Sequence, residues 1–198
     1  MGTVLMLVIS RYRPPHDRAS AKCREHREKW PPENTLWHRF FTAFNQTPPI
    51  VGFASIGYKN SVRSIETSGE FVWNLVTRPL AEAMNQTCAA VAPEVSAFEL
   101  ADLTPLASTL VAPPRIAESP VSFECRLTQL LQLQDASGQQ LPTWLVLGEV
   151  VAVHIAQRLL VNGIYDTARA DHVLRGGGAA DYFSVGPGQL FKMFRPRG

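Results

Sequence analysis

The chain has 198 residues, a formal charge of +2 at neutral pH, 45% hydrophobic residues and 18% charged residues. This composition is that of a globular protein and excludes wholesale disorder, and so small a charge does not by itself indicate nucleic-acid binding. The three cysteines, Cys23, Cys88 and Cys125, form no CxxC pair, which argues against a disulfide framework or a zinc site. No apolar run reaches the length of a membrane span. We therefore expect a cytoplasmic protein whose partners include neither a membrane nor a nucleic acid.

Composition changes near Phe40. Residues 11–39 contain eight Lys or Arg but a single branched aliphatic residue, Leu36. A segment so poor in aliphatic side chains is not expected to supply a core strand. We therefore divide the chain into an atypical basic segment, residues 1–40, and a folded domain, residues 41–198. The basic segment is interpreted as a disordered arm, as a nucleic-acid-binding arm, or as a stretch that is foreign to the fold. The apolar run at residues 3–9 is interpreted as a buried strand or an ordered tail.

The first half of the domain alternates strands with short helices. Residues 50–56 and 70–76 are apolar runs typical of buried strands. Between them, residues 60–67 suit a short helix, with Asn60 or Ser61 as its cap and Gly69 as its end. A second helix is expected from Pro79 to residue 84, because proline tolerates the first helical position.

The second half predicts a long hairpin. Residues 121–133 alternate apolar and polar side chains like a half-buried strand, and residues 144–155 form its partner, with Gly148 as a bulge or bend. A proline-rich loop precedes the hairpin, and a helical turn and a glycine run follow it. Strands joined by hairpins, with only short helices, favour a closed or partly closed antiparallel barrel.

The segment KNSVRSIETSGEFVWNL, residues 59–75, resembles the block K-[DNS]-[ST]-x-x-N-I-E-x-[ST]-G-E-F-V-x-N of the flavin reductase-like family. Further blocks follow in the family's order: FELADLTP at residues 98–105, PPRIAESP at 113–120, ECRL at 124–127, GEVV at 148–151, and RGG at 175–177 with Tyr182. The resemblance extends from residue 41 to about residue 182. It implies a mainly β protein, an FMN-binding split β-barrel with short helices, whose N-terminal strands are disrupted here.

The disruption is inferred from the family's usual opening, which contains a Leu-Ala-Pro-Tyr/Phe motif and is absent from this chain. Codons for Leu36-Trp37-His38-Arg39-Phe40, read from the third base of the leucine codon, can encode Leu-Ala-Pro-Phe. We therefore hypothesise that residues 18–39 are a frameshifted translation, and we expect this chain to fold poorly or to bind FMN weakly. An unbroken reading frame in independent isolates would contradict the hypothesis.

The resemblance implies an FMN-binding, NAD(P)H-dependent flavin oxidoreductase, which transfers hydride from NADH or NADPH to the flavin. It also implies a homodimer, with free flavin or a partner monooxygenase as the acceptor. Such a hydride transfer needs positioned reactants rather than an acid or a base, so no catalytic side chain is assigned. The alternative is a non-catalytic flavin- or haem-binding split-barrel protein.

Nine residues are candidates for cofactor binding. Four of them surround the start of the first helix, where a cation, hydroxyl groups and helical N–H groups suit a phosphate. These four are Lys59, Asn60, Ser61 and Ser64. The resemblance places the other five beside the flavin or near the dimer partner: Phe41, Thr42, Asn45, Arg175 and Tyr182. A helix cap, core aromatic residues and a glycine-rich turn are the purely structural interpretations of the same positions, and His154 is interpreted as a strand-face histidine.

Overall fold

The structure is a computed structural model that describes residues 3–10, 35–88, 96–194 and 196, with the backbone alone for residues 3–10 and 35–42. Strands β1 (Thr3–Ser10), β2 (Thr35–Gln46) and β3 (Pro49–Ile56) come first, followed by helix α1 (Asn60–Ser68) and strand β4 (Glu70–Leu75). Helices α2 (Ala81–Gln86) and α3 (Ala97–Leu100) and the short strands β5 (Pro105–Leu106) and β6 (Arg115–Ile116) occupy the middle of the chain.

The second half begins with the long strands β7 (Val121–Gln134) and β8 (Gln140–Ile155). Four shorter strands follow: β9 (Leu160–Val161), β10 (Ile164–Tyr165), β11 (His172–Arg175) and β12 (Tyr182–Val185). Short 3-10 turns cover Arg78–Leu80, Gln157–Leu159, Thr167–Ala170 and Pro187–Gln189. None of the helices in the described part of the chain is long and apolar enough to cross a membrane.

Six antiparallel strands close into a barrel. The large sheet has the order β12-β11-β1-β2-β3-β8-β7-β4, and β4 also pairs with β1. Closure occurs because residues 6–9 of β1 pair on one side with β2 and on the other with residues 72–75 of β4. The hairpin of β11 and β12 extends the sheet from the first residues of β1. The mainly β split barrel predicted from the sequence is therefore confirmed.

Strand β2 crosses the compositional boundary at residue 40. The backbone of Thr35–Arg39 pairs with residues 6–10, so this part of the basic segment does form a strand, and the side chains that define a core strand lie outside the described residues there. Backbone N–H and C=O groups make the ladder, and they need no aliphatic side chain to do so. Residues 18–34, the greater part of the segment in the frameshift hypothesis, lie outside the described residues.

Strand β4 is buried on both faces, which explains its nearly continuous apolar sequence. Phe71, Trp73 and Leu75 point into the barrel, whereas Val72 belongs to a second apolar cluster formed with α2 and α3. Gly148 on β8 meets this core closely, since a Cβ there would lie 2.4 Å from the Phe71 ring. For the bulge or bend predicted at Gly148, the structure has a bulge directly opposite, on β7, where the register shifts between residues 127 and 129.

Helix α1 forms where the sequence predicts it. Gly69 ends the helix in the left-handed conformation, with φ of 69°, which glycine adopts without steric cost. The start differs by one residue: Lys59 occupies the N-cap position, so Asn60 and Ser61 lie inside the helix and the prediction that one of them caps it is wrong. The N-cap position determines which backbone N–H groups form the amino end of a helix. The candidate site described below lies at this amino end of α1.

Candidate functional site

The amino end of α1 presents positive charge at the surface. The Arg63 N–H donates to the Lys59 carbonyl at 3.1 Å, which forms the first turn of the helix. No acidic residue lies in the first turn. The side chains of Lys59 and Arg63 are both exposed and lie one helical turn apart. Together with the helix dipole, they make this end of α1 attractive to an anion.

Two of the four predicted phosphate ligands lie on the buried face of the helix. Ser61 is 0% exposed and Ser64 is 1% exposed, and both share the buried face of α1 with Val62 and Ile65. Lys59 is exposed and Asn60 half-buried. Contacts from the two serine hydroxyls to a phosphate therefore stay predictions, whereas the Lys59 side chain is accessible from solvent.

Arg63 is a residue that the sequence analysis missed. It lies within the matching block, and its i, i+4 spacing from Lys59 puts both cations on one helix face. Tyr58 precedes Lys59 in the chain, and its ring packs edge-on against that of Trp144, with the ring centroids 5.1 Å apart. The Tyr58 hydroxyl donates to the Glu66 carboxylate, and this hydrogen bond raises the pKa of Tyr58.

Asn45 lies on β2, beside the end of β3 that is farther from α1. Its amide nitrogen donates to the Pro48 carbonyl at 2.8 Å and so braces the turn between β2 and β3. Asn45 pairs with Ile50, while α1 begins beyond Ile56, which separates the two places by roughly 20 Å at the rise of an extended strand. The structure therefore does not bring Asn45 together with Lys59.

The remaining candidates form a second group across four neighbouring strands. Arg175 pairs with Tyr182 in the β11–β12 hairpin, and its guanidinium lies 4.6 Å from the centroid of the tyrosine ring. The same side chain donates to the Ala179 carbonyl at 2.6 Å. One strand, β1, separates β11 from Phe41 and Thr42 on β2, which puts the backbones about 10 Å apart. The side chains of Phe41 and Thr42 lie outside the described part.

A buried carboxylate on β7 organises the loop of residues 104–118. Glu124 on β7 is 0% exposed and accepts hydrogen bonds from the backbone N–H groups of Thr109, Leu110 and Val111 at 2.7, 2.6 and 3.2 Å. The Nε2 atom of His154 lies 2.6 Å from the same carboxylate. Burial opposes ionisation, but the loop N–H groups and the imidazole outweigh it, so the pKa of Glu124 is lowered.

Asn74 ties the same loop to β4. Its Oδ1 accepts from the Ile116 N–H at 3.0 Å and from the Ser122 hydroxyl at 2.8 Å. The alternation in β7 predicted a solvated polar face, but Ser122 and Glu124 are buried because the loop covers them. His154 is a strand-face residue, as predicted from the sequence, and it contacts this carboxylate.

Comparison with known proteins identifies the domain. Residues 31–172 match the family model described as a flavin reductase like domain. An uncharacterised protein of Halalkalibacterium halodurans is 30% identical over 163 residues, which are 79% of this chain and 76% of that protein.

Solved structures share the fold. Nitrilotriacetate monooxygenase component B from Bacillus cereus superposes with a TM-score of 0.78 at 23% identity, over 98% of this chain and 88% of that chain. Flavoredoxin of Desulfovibrio vulgaris (Miyazaki F) has a TM-score of 0.74 at 21% identity, over 98% and 91% of the two chains. An FMN-binding domain of a flavin reductases-like enzyme from Shewanella baltica OS155 has a TM-score of 0.71 at 16% identity, over 97% and 90%.

The family model spans most of the described barrel, from β2 to the start of β11. The blocks of sequence that carried the resemblance lie on the elements that build this barrel, in the order in which the family has them. The chain belongs to the flavin reductase-like domain family.

Proposed function

We propose that this protein binds FMN and catalyses hydride transfer from NADH or NADPH to the flavin, as an NAD(P)H-dependent flavin oxidoreductase. Membership in the flavin reductase-like family supports this function. Three structural neighbours are named as a monooxygenase component, a flavoredoxin and an FMN-binding domain, which supports flavin as the cofactor. The structural observation that carries the proposal is the exposed, positively charged amino end of α1.

The amino end of α1 fits the phosphate of FMN. A phosphate carries close to two negative charges and accepts several hydrogen bonds, and helix N-termini bind such groups with their backbone N–H groups. Lys59 would supply a cation at the N-cap position, and Arg63 a second cation on the same face. Asn60, Ser61 and Ser64 complete the proposed phosphate site, with the two buried serines supporting it from beneath the helix.

The second group of candidates and Asn45 are assigned to the flavin's surroundings. Phe41, Thr42, Asn45, Arg175 and Tyr182 are proposed to contact the ring, the ribityl chain or the dimer partner. Bound FMN would supply the electron-accepting ring for the hydride of the nicotinamide. The chain's own residues then have to hold the two rings together in a water-poor site, and no side chain has to give or take a proton.

The acceptor of the electrons is proposed to be free flavin or a partner monooxygenase. The Bacillus cereus neighbour is named as component B of a monooxygenase, which supports a role as the reductase of a two-component system. We further propose that the protein acts as a homodimer, in which two copies use the same surface.

Nicotinamide oxidation tests the proposal. Purified protein is mixed with FMN and with either NADH or NADPH, and loss of the reduced nicotinamide is followed by absorbance. We expect turnover that saturates with FMN and depends on the protein concentration. Bound flavin or haem without turnover would instead support the non-catalytic alternative, and failure to bind FMN at any concentration would contradict the proposal.

A further inference from the structure

The β9–β10 hairpin forms a small sheet of its own, separate from the sheet of the barrel. Each strand has two residues, and Val161 pairs with Ile164 next to the turn. These two side chains are 38% and 73% exposed, so little packing holds the tip of the hairpin closed. An isolated two-stranded hairpin is marginally stable in water. The tip is therefore expected to open locally without unfolding of the barrel.

The tip of this hairpin is the dipeptide Asn162-Gly163. Both residues have positive φ, 53° and 77°, as a type I′ turn requires, and Asn-Gly is a favoured sequence for that turn. Both are exposed, and a Cβ built on Gly163 would meet no atom within 4 Å. In the described part of the chain, neither the Asn162 side chain nor the Gly163 N–H has a hydrogen-bond partner. Nothing therefore shields the Asn162 carboxamide from the next peptide nitrogen or from water.

We propose that Asn162 is a site of spontaneous deamidation, in which the peptide nitrogen of Gly163 attacks the side-chain amide and the chain ends as a mixture of aspartate and isoaspartate. The inference goes beyond the proposed function, since it needs no flavin, nicotinamide or partner protein.

The reaction needs only water and hydroxide. Hydroxide removes the proton from the Gly163 N–H, and the nitrogen forms a bond to Cγ of Asn162. The bond from Cγ to the amide nitrogen breaks, and that nitrogen takes up a proton and leaves as ammonia, which closes a succinimide ring. Water then opens the ring at either carbonyl. Cleavage between the Gly163 nitrogen and Cγ gives aspartate, whereas cleavage between that nitrogen and the backbone carbonyl carbon gives isoaspartate. No electrons are gained or lost.

The other asparagines in the described ranges lack this combination of features. Each precedes a residue with a side chain, which hinders the attack, whereas glycine has no Cβ. Two lie in helices, one is buried in β4 and one braces the turn after β2: Asn60, Asn85, Asn74 and Asn45. Ring closure requires the backbone to leave its folded conformation, and this costs more in a helix or in the barrel than at the hairpin tip. Asn162 should therefore react first.

Conversion should disturb the hairpin tip and spare the barrel. Isoaspartate adds a methylene group to the backbone, so the turn can no longer join the two strands in their present register. The base of the hairpin is held separately. Leu159 is 3% exposed in the apolar cluster of the barrel, Tyr165 packs against that cluster, and the Asp166 N–H donates to the Leu159 carbonyl at 2.8 Å. The free energy of unfolding of the converted protein should therefore equal that of the fresh protein.

Peptide mass spectrometry after incubation at mildly alkaline pH tests the site. The full chain is incubated folded and, in parallel, unfolded in guanidinium chloride. Deamidation is followed by the mass gain at each asparagine, and isoaspartate by enzymatic methylation with an isoaspartyl methyltransferase. In the folded chain Asn162 is expected to react at least about tenfold faster than Asn60, and folding is expected to slow Asn60 at least about tenfold more than Asn162, because local opening sets these rates.

Three results would overturn the proposal. The first is an Asn162 that keeps its amide in the folded chain while it converts in the unfolded chain. The second is a folded chain in which another asparagine reacts first. The third is aspartate at position 162 without isoaspartate, since direct hydrolysis of the amide gives aspartate alone.

Substitution of Gly163 tests the attacking atom. Gly163→Ala adds a Cβ next to the nucleophilic nitrogen, so conversion at Asn162 is expected to be at least about tenfold slower. Alanine is strained at the φ of Gly163, so the comparison is made in the guanidinium-unfolded chains, where the turn is absent in both proteins. Asn162→Gln is the matched control, because its longer side chain closes a larger ring, and no conversion is expected there over the same time. Equal rates in the unfolded wild type and Gly163→Ala would refute attack by the Gly163 nitrogen.

Discussion

Two regions of this barrel set charged side chains beside backbone N–H groups, with opposite outcomes. At Glu124 the chain supplies both the carboxylate and its donors, and the carboxylate is buried beneath the loop of residues 104–118. At the amino end of α1 the chain supplies two exposed cations, Lys59 and Arg63, with no acidic residue in the first turn. In the first region the anion is the chain's own Glu124 carboxylate, so the site is structural. The second can take an anion from outside, which makes it the better candidate for ligand binding.

The largest effect should come from emptying the buried anion site. Glu124→Ala leaves three loop N–H groups and the imidazole of His154 without their acceptor in a buried place, at a cost of about 3–5 kcal/mol in the free energy of unfolding. Urea denaturation followed by circular dichroism measures this loss. FMN affinity of the folded fraction should stay unchanged, because the loop is hydrogen-bonded to Glu70, beyond the carboxyl end of α1, and the proposed phosphate site is at the amino end.

Glu118→Ala is the matched control for this prediction. Glu118 also accepts a loop N–H, that of Thr104, but it is exposed, so its loss should cost about 1 kcal/mol or less. Equal losses in the two variants would show that burial of Glu124 contributes nothing, and the contrast between the two regions would fail.

A smaller effect should appear in the pH dependence of stability. The pKa of Glu124 is lowered from its ordinary value of 4.5, so folding favours the ionised carboxylate. The resulting stabilisation is present above that ordinary value and is lost as the pH falls through the folded pKa. Glu124→Gln should cost about 2 kcal/mol at neutral pH and flatten the acid limb of the stability curve. Thermal unfolding between neutral and acidic pH checks this, and an acid limb as steep as that of the wild type would contradict it.

Local signals in the sequence identified α1 and its end. Gly69, the polar residues at the start of the helix and the apolar run of β4 act over a few residues, and the structure has all of them close to the predicted bounds. The role of Glu124 could not be predicted in this way, because its donors lie 13 to 15 residues earlier, across a proline-rich loop. The alternation of β7 therefore indicated solvent where the loop lies.

The candidate site was predicted in part. The motif identified Lys59, whose position depends on the helix start, but the burial of Ser61 and Ser64 depends on how α1 packs over the barrel. Composition was also a poor guide to β2, because a backbone ladder forms without aliphatic side chains. Whether residues 18–39 are a frameshifted translation stays a hypothesis, which resequencing of the gene tests.

An FMN titration of Lys59→Glu, followed by quenching of flavin fluorescence, tests the assignment of the phosphate to α1. Arg158→Glu is the control, since it makes the same change of charge at an exposed position outside the site. In Lys59→Glu the phosphate site loses a cation and gains a repelling carboxylate, so the dissociation constant of this variant for FMN should rise about tenfold or more. The dissociation constant of Arg158→Glu for FMN should stay within about twofold of the wild-type value. Equal FMN affinity in the wild type, Lys59→Glu and Arg158→Glu would contradict the assignment of this surface to the flavin phosphate.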